Sequence, residues 1–340
     1  MPLPLSQSIR RAVYALLWLT VGTTAVSAQT GEEIQAAIDR AYAQYRSLNE
    51  GTIAAHNPLV VRLGPEVFGI ALVTVEGDIY TAGDAAAEVS LASISKVFTM
   101  ALVFQQSGPE VVRSTVGVDA TGMRYNSVAA IERSEGREMN PMVNAGAIAL
   151  TSMVSGESRE HVWEKILDTY SAFAGRPLAM SEEVYRADTA SNHRNRAIAQ
   201  LMHAYGIIEA DPIGACEMYT RQCAITVNIR DLAIMAGTLA NSGTNPVTGT
   251  PVLEPDHVPE ALAVMATAGL YDDAGQWLFQ TGLPAKSGVS GGIIAVSPGR
   301  FGVAALSPPL DGAGNSVRAQ RAIRDISAAL GGNPYDVQAR

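Results

Sequence analysis

The chain has 340 residues, with 24 lysines and arginines against 33 aspartates and glutamates, a formal charge of −9 at neutral pH. With 47% hydrophobic residues it can bury the core of one large domain or two interleaved ones, which excludes low-complexity disorder. A surface of this sign repels polyanions, so a nucleic-acid binder is excluded as well.

Residues 1–28 read as a targeting segment. Arg10 and Arg11 form a short basic region, residues 12–22 are apolar, and Val26-Ser27-Ala28 places small residues at the −3 and −1 positions of a cleavage site. The apolar stretch is short for a membrane span. The expectation is a secretory signal, leaving residues 29–340 as a mature chain that is periplasmic or secreted and does not engage the membrane.

Further along, apolar spacing predicts a helix over 32–48. Residues 68–75 and 79–82 are β-branched runs around Glu76-Gly77-Asp78, the pattern of a hairpin. A strongly apolar helix follows over 95–105. Helices are predicted over 143–154, 161–172, 195–205 and 229–240, joined by Gly-, Asn- and Pro-rich loops. Residues 293–297 and 300–306 read as two strands around Pro298-Gly299, and 317–330 as a closing helix. Strands near both ends with helices between them predict an α+β fold. Its first and last parts pair in an antiparallel sheet flanked by helices, and a helical portion of about 115–260 is inserted. No internal repeat is present.

Cys216 and Cys223 are the only cysteines. On one continuous helix, seven residues would separate them by about 10 Å, beyond the reach of a disulfide. Two reduced, buried thiols are therefore expected. His56, His161, His193, His203 and His257 are scattered without metal-ligand spacing, so no metal site is expected.

Only three lysines occur, Lys96, Lys165 and Lys286. Two of them fall in motifs with a chemical reading. In Ser93-Ile94-Ser95-Lys96, positions three apart share one helical face, so hydroxyl and amine can meet. A buried lysine of lowered pKa can take the serine proton, whereas arginine cannot be deprotonated for that task. Lys286-Ser287-Gly288, just before a predicted strand, fits the K-[ST]-G element that accompanies S-x-x-K in serine acyl-enzymes. The pair points to serine acyl transfer. The triplets S-D-N, S-x-N and Y-x-N, usual between these elements in β-lactamases and penicillin-binding proteins, are missing between Ser93 and Lys286.

Other stretches resemble the serine-dependent glutaminase family. They are Ser93-Ile94-Ser95-Lys96-Val97-Phe98, Asn140-Pro141-Met142-Val143-Asn144-Ala145-Gly146-Ala147-Ile148 and His193-Arg194-Asn195. Gly282-Leu283-Pro284-Ala285-Lys286-Ser287-Gly288-Val289-Ser290-Gly291-Gly292 and Ser307-Pro308-Pro309-Leu310-Asp311 complete the set. The likeness runs in order from about 33 to 330. It implies a β-lactamase/transpeptidase-like fold, hydrolysis of L-glutamine to L-glutamate and ammonia without a cofactor, and a homo-oligomer, dimer or tetramer. By the same resemblance Ser93 is the nucleophile and Lys96 its base. The N–H groups of Ser93 and Val289 form the oxyanion hole, and Tyr219 stands beside the serine to pass a proton to the departing ammonia. Asn126, Asn195 and Tyr271 match positions that hold the substrate's amino-acid end.

Three positions depart from the family pattern. Asp188 stands where a glutamate is common, His56-Asn57-Pro58 where a tyrosine touches substrate, and Ala92 where a glutamine often precedes the serine. The nucleophile's machinery is intact while the cradle is altered. A related serine amidase or esterase, or a β-lactam-type hydrolase, is the alternative activity. A non-catalytic binding protein of the same fold is a further one.

Overall fold

The computed structural model describes residues 29–209 and 211–336, and the expected signal segment lies outside them. The strands are β1 Gly69–Thr74, β2 Ile79–Gly83, β3 Val89–Ser90, β4 Ala179–Met180, β5 Ile225–Val227, β6 Ala285–Ser287, β7 Gly292–Ser297 and β8 Phe301–Leu306. Five of them form an antiparallel sheet in the order β2-β1-β8-β7-β6. Both predicted hairpins are present, and the two halves of the chain meet where Ala71 of β1 faces Ala304 of β8.

β1, β7 and β8 are buried along their whole length, because helices cover both faces of the sheet. Ile70, Leu72, Val303 and Ala305 pack against Ile34, Ile38, Ile323 and Ile326 of the helices Gly31–Tyr45 and Val317–Ala329. Ala71, Val73, Val296 and Ala304 lie in the core that contains the helix Ile229–Ala240. Burial on both faces accounts for strands written as continuous apolar runs rather than as alternation. The central helix lies very close to the sheet. A Cβ on Gly302 would stand 2.1 Å from the Gly237 nitrogen, so that contact admits only glycine. The same helix starts on a capping box between Asn228 and Asp231, and Arg176 closes a two-pronged ion pair on Asp231.

The stretch 115–260 is mostly helical, and it also holds β4, β5 and the sheet-packed helix Ile229–Ala240. β3, β5 and β4 form a second, three-stranded antiparallel sheet. Predicted helices recur within a few residues as Ser95–Ser107, Asn144–Met153, Arg159–Ala174 and His193–Ala204. The helix Glu182–Ser191 lies outside the predicted set. Ser181 caps it by accepting the Val184 N–H, and Val184 is its only buried residue, so it carries no apolar stripe to read. Cys216 and Cys223 sit on one helix, Pro212–Cys223, as free buried thiols.

Candidate active site

Ser93 sits in a tight turn between β3 and the helix Ser95–Ser107. Its neighbour Ala92 has φ +47°, a left-handed conformation that costs a non-glycine residue about 1–2 kcal/mol. Three residues on, Lys96 is fully buried, and its Nζ reaches the Ser93 Oγ at 2.6 Å and the Tyr219 hydroxyl at 2.8 Å. Burial pulls the Lys96 amine down to about 8, with Cys223 opposing weakly. A large fraction of this amine is therefore neutral near pH 8, with a lone pair to accept a proton. Tyr219 is held well above the ordinary phenol range by burial, so it keeps its proton and donates it to Asn144 Oδ1 at 3.3 Å. Asn144 in turn donates from Nδ2 to Asn195 Oδ1 at 2.9 Å.

The turn at 288–292 packs directly against the serine turn. A Cβ built on Gly288 would approach the Leu91 carbonyl oxygen to 3.0 Å and Ile94 to 3.3 Å. A larger residue here would push the two turns apart. Among the described residues no acceptor takes the backbone N–H of Ser93 or of Val289, and both residues line the same cavity. Two N–H groups without protein partners at a nucleophile form a ready site for developing negative charge on oxygen.

Lys286 is also fully buried and donates to the carbonyl oxygens of Gly269 (2.9 Å) and Ser287 (2.7 Å). Burial, reinforced by the charge of Lys96, drives its amine well below the ordinary lysine range. Its Nζ stands 4.0 Å from the centroid of the Tyr271 ring. Tyr271 has φ +57°, packs on Tyr125 with ring centroids 4.6 Å apart and the planes tilted by 37°, and donates to the Ser287 carbonyl at 3.4 Å.

The cavity in front of Ser93 measures about 230 Å³. Asn126, Asn195, Asp188, His56, Tyr219 and Val289 all line it, so the structure brings these sequence-derived candidates around the serine. Tyr271 is not among the lining residues; its ring packs on Tyr125, which is, and its hydroxyl lies against Ser287. Asp188 is mostly buried, and burial raises its carboxyl above the usual range while the nearby His56 opposes the shift. Arg194 donates from Nε to the Asn126 carbonyl at 2.8 Å and holds that loop to the helix His193–Ala204.

Residues not singled out from the sequence also line the cavity: Tyr125, Asn144, Asn192 and Cys223. Asn144 lies inside a stretch already quoted, where a buried amide at a helix start is the available signal, and Tyr125 directly precedes Asn126. Asn192 donates to Thr220 Oγ1 at 2.6 Å, a contact with no local signature.

The sequence model of the glutaminase family matches residues 51–335. The chain belongs to the glutaminase family. It is 47% identical over 302 residues to a glutaminase of Colwellia psychrerythraea, covering 89% of this chain and 97% of that one. A glutaminase of Mycobacterium ulcerans is 46% identical, over 87% of this chain and 93% of its own length. A solved structure described as the probable glutaminase ybaS superposes with a TM-score of 0.89 at 43% identity, covering 91% of this chain and all of that one. Another, Mglu in its L-glutamate binding form, gives 0.84 at 34% identity, over 90% of this chain and 70% of that chain. The α+β architecture is thus that of this family's β-lactamase-like fold, as the motifs implied.

Proposed function

We propose that this glutaminase-family enzyme hydrolyses L-glutamine to L-glutamate and ammonia through an acyl-enzyme on Ser93. The observation that carries the mechanism is the unbroken line Ser93 Oγ, Lys96 Nζ, Tyr219 hydroxyl, at 2.6 and 2.8 Å. Neutral Lys96 takes the Ser93 proton as Oγ attacks the side-chain carbonyl carbon. The oxyanion of the tetrahedral intermediate accepts the N–H groups of Ser93 and Val289. Tyr219 then gives its proton to the departing nitrogen and regains one from Lys96, so ammonia leaves as the C–N bond breaks. Water enters the vacated position, loses a proton to the same relay and releases glutamate with Ser93 restored.

Asn126 and Asn195 serve the amino-acid end of the substrate, Tyr271 backs Tyr125 in the wall beside it, and Asp188 offers a carboxylate to its ammonium. A buried zwitterion needs such partners. That Mglu, a structural relative, is described in an L-glutamate binding form supports a pocket shaped for the product. No step needs a cofactor. The basic, apolar and small-residue pattern of residues 1–28 supports export, and the family resemblance supports assembly of several copies. The decisive experiment is ammonia release from L-glutamine by residues 29–340 and by their Ser93→Ala variant. Release that vanishes in the variant upholds the reading. A folded parent that releases none overturns glutamine as substrate and turns attention to related acyl amides and esters.

A further inference from the structure

One helical turn behind Lys96 and Tyr219 lies a buried polar cluster that the reaction itself does not use. Thr99 follows Lys96 by three residues on the helix Ser95–Ser107, and Gln222 follows Tyr219 by three on Pro212–Cys223. Thr99 Oγ1 lies 2.7 Å from the Gln222 side-chain amide, as Lys96 lies 2.8 Å from Tyr219. The two contacts are successive rungs between the same pair of helices. Both residues of the rear rung are buried in a core otherwise filled by Phe98, Val97 and Phe173. Thr99 Oγ1 also meets the Tyr170 hydroxyl at 2.7 Å, and Tyr170 donates to the Ser95 carbonyl oxygen at 2.7 Å.

A proton count fixes the order of this cluster. With Gln222 Oε1 facing Thr99, two hydroxyl protons must serve three short contacts, while the Gln222 Nε2 is left buried without a partner. Turning the amide by half a turn supplies the proton that the Thr99 contacts lack and leaves the other edge of the amide in the same unpartnered place. Gln222 Nε2 then donates to Thr99 Oγ1, Thr99 donates to Tyr170, and Tyr170 donates to Ser95. Each of the three short contacts then carries one proton, and the chain runs from the tyrosine helix to the carbonyl of the residue between Ile94 and Lys96.

We propose that Gln222, Thr99 and Tyr170 are positioning residues that hold the Lys96 and Tyr219 helices in register, so that one amine reaches both Ser93 and Tyr219. The inference rests on the serine-lysine reading above. A chain of three short hydrogen bonds in an apolar core favours one arrangement, since sliding the helices would strand its polar atoms in a dry place. Apolar packing between the same helices would tolerate sliding, and a misplacement of about 1 Å at a reacting group costs on the order of a hundredfold in rate.

The test compares Thr99→Val, which keeps shape and loses the hydroxyl, with Thr99→Ser, which keeps the hydroxyl, and adds Gln222→Met. Two readouts are taken: glutamine turnover across pH, and the rate at which a general serine-acylating fluorophosphonate labels Ser93. Thr99→Val and Gln222→Met are expected to lower kcat and the labelling rate by about tenfold to a hundredfold. KM should stay near that of the parent, the acid limb of the pH profile should move, and Thr99→Ser should recover most of the rate. The double variant should lose little more than either single one, because one chain is broken in each. Folded variants with parental kcat, labelling rate and pH profile overturn the proposal. So does a loss that Thr99→Ser fails to restore. If the parent labels at Ser93 without hydrolysing glutamine, the substrate assignment fails while the labelling comparison still decides this one. Should Thr99→Val not fold, Gln222→Met, which alters the other end of the chain, carries the same comparison.

Discussion

At the scale of single residues, the site is governed by the burial of two amines. Lys96 at about 8 can act as a base in mildly alkaline solution, while below that value it holds its own proton and cannot accept one from Ser93. The rate constant kcat/KM is therefore expected to rise with pH through an acid limb centred near 8 in the free enzyme. Lys96→Ala should lose about 10²–10⁴-fold and flatten that limb; turnover within about tenfold of the parent would remove the lysine from the mechanism. Asp188 and His56 govern affinity instead. Because burial raises the Asp188 carboxyl, its charge is lost at a higher pH than for an ordinary aspartate, so KM for glutamine should climb early on acidification. Asp188→Glu combined with His56→Tyr should tighten glutamine binding by extending the carboxylate one methylene into the cavity. Isothermal titration with the Ser93→Ala background measures this directly, and weaker binding would mean that the cavity suits another ligand.

At the scale of elements, the catalytic turn is defined by what leans on it: the 288–292 turn on one side and the helix Pro212–Cys223 on the other. Behind them, β8 and the helix Ile229–Ala240 meet at two glycines. Gly302→Ala places a methyl group 2.1 Å from the Gly237 nitrogen and should cost about 1–3 kcal/mol or more, read as a lower denaturant midpoint. These relations explain how much could be read beforehand. The Ser93–Lys96 pair was legible because a spacing of three brings hydroxyl and amine together across one turn, here the tight turn that leads into the helix Ser95–Ser107. The hairpins were legible because Glu76-Gly77-Asp78 and Pro298-Gly299 interrupt apolar runs. Tyr219 lies 123 residues beyond Lys96, and no local pattern joins them; only the family resemblance did. The helix Glu182–Ser191 was illegible because a single buried valine leaves no periodic signal, yet it carries Asp188 to the cavity wall. Asn144 belonged to a motif that reads equally well as helix packing, and its link to Tyr219 is purely tertiary.

At the scale of the whole molecule, the early and late parts of the described chain are tied together. Arg318 is fully buried on the last helix and donates to four neutral oxygens, those of Leu48, Asn49, Pro65 and the Ser307 hydroxyl. Arg318→Met keeps most of the volume and strands these acceptors, so stability should fall by about 3 kcal/mol or more, seen as a lower melting temperature. The rate of Ser93 acylation at low temperature should change little, since Arg318 is not among the residues that line the cavity. The same economy of charge that packs two lysines inside leaves the exterior nearly bare of amines. Lys165, partly exposed with its Nζ on the Ser155 carbonyl, is the one remaining lysine. Coupling to an amine-reactive resin therefore grips the folded protein at Lys165 or at its first residue and spares Lys96. Immobilised enzyme should be held at those few points and retain the turnover of the free form, while unfolding before coupling exposes Lys96 and Lys286 as two further attachment points and abolishes it.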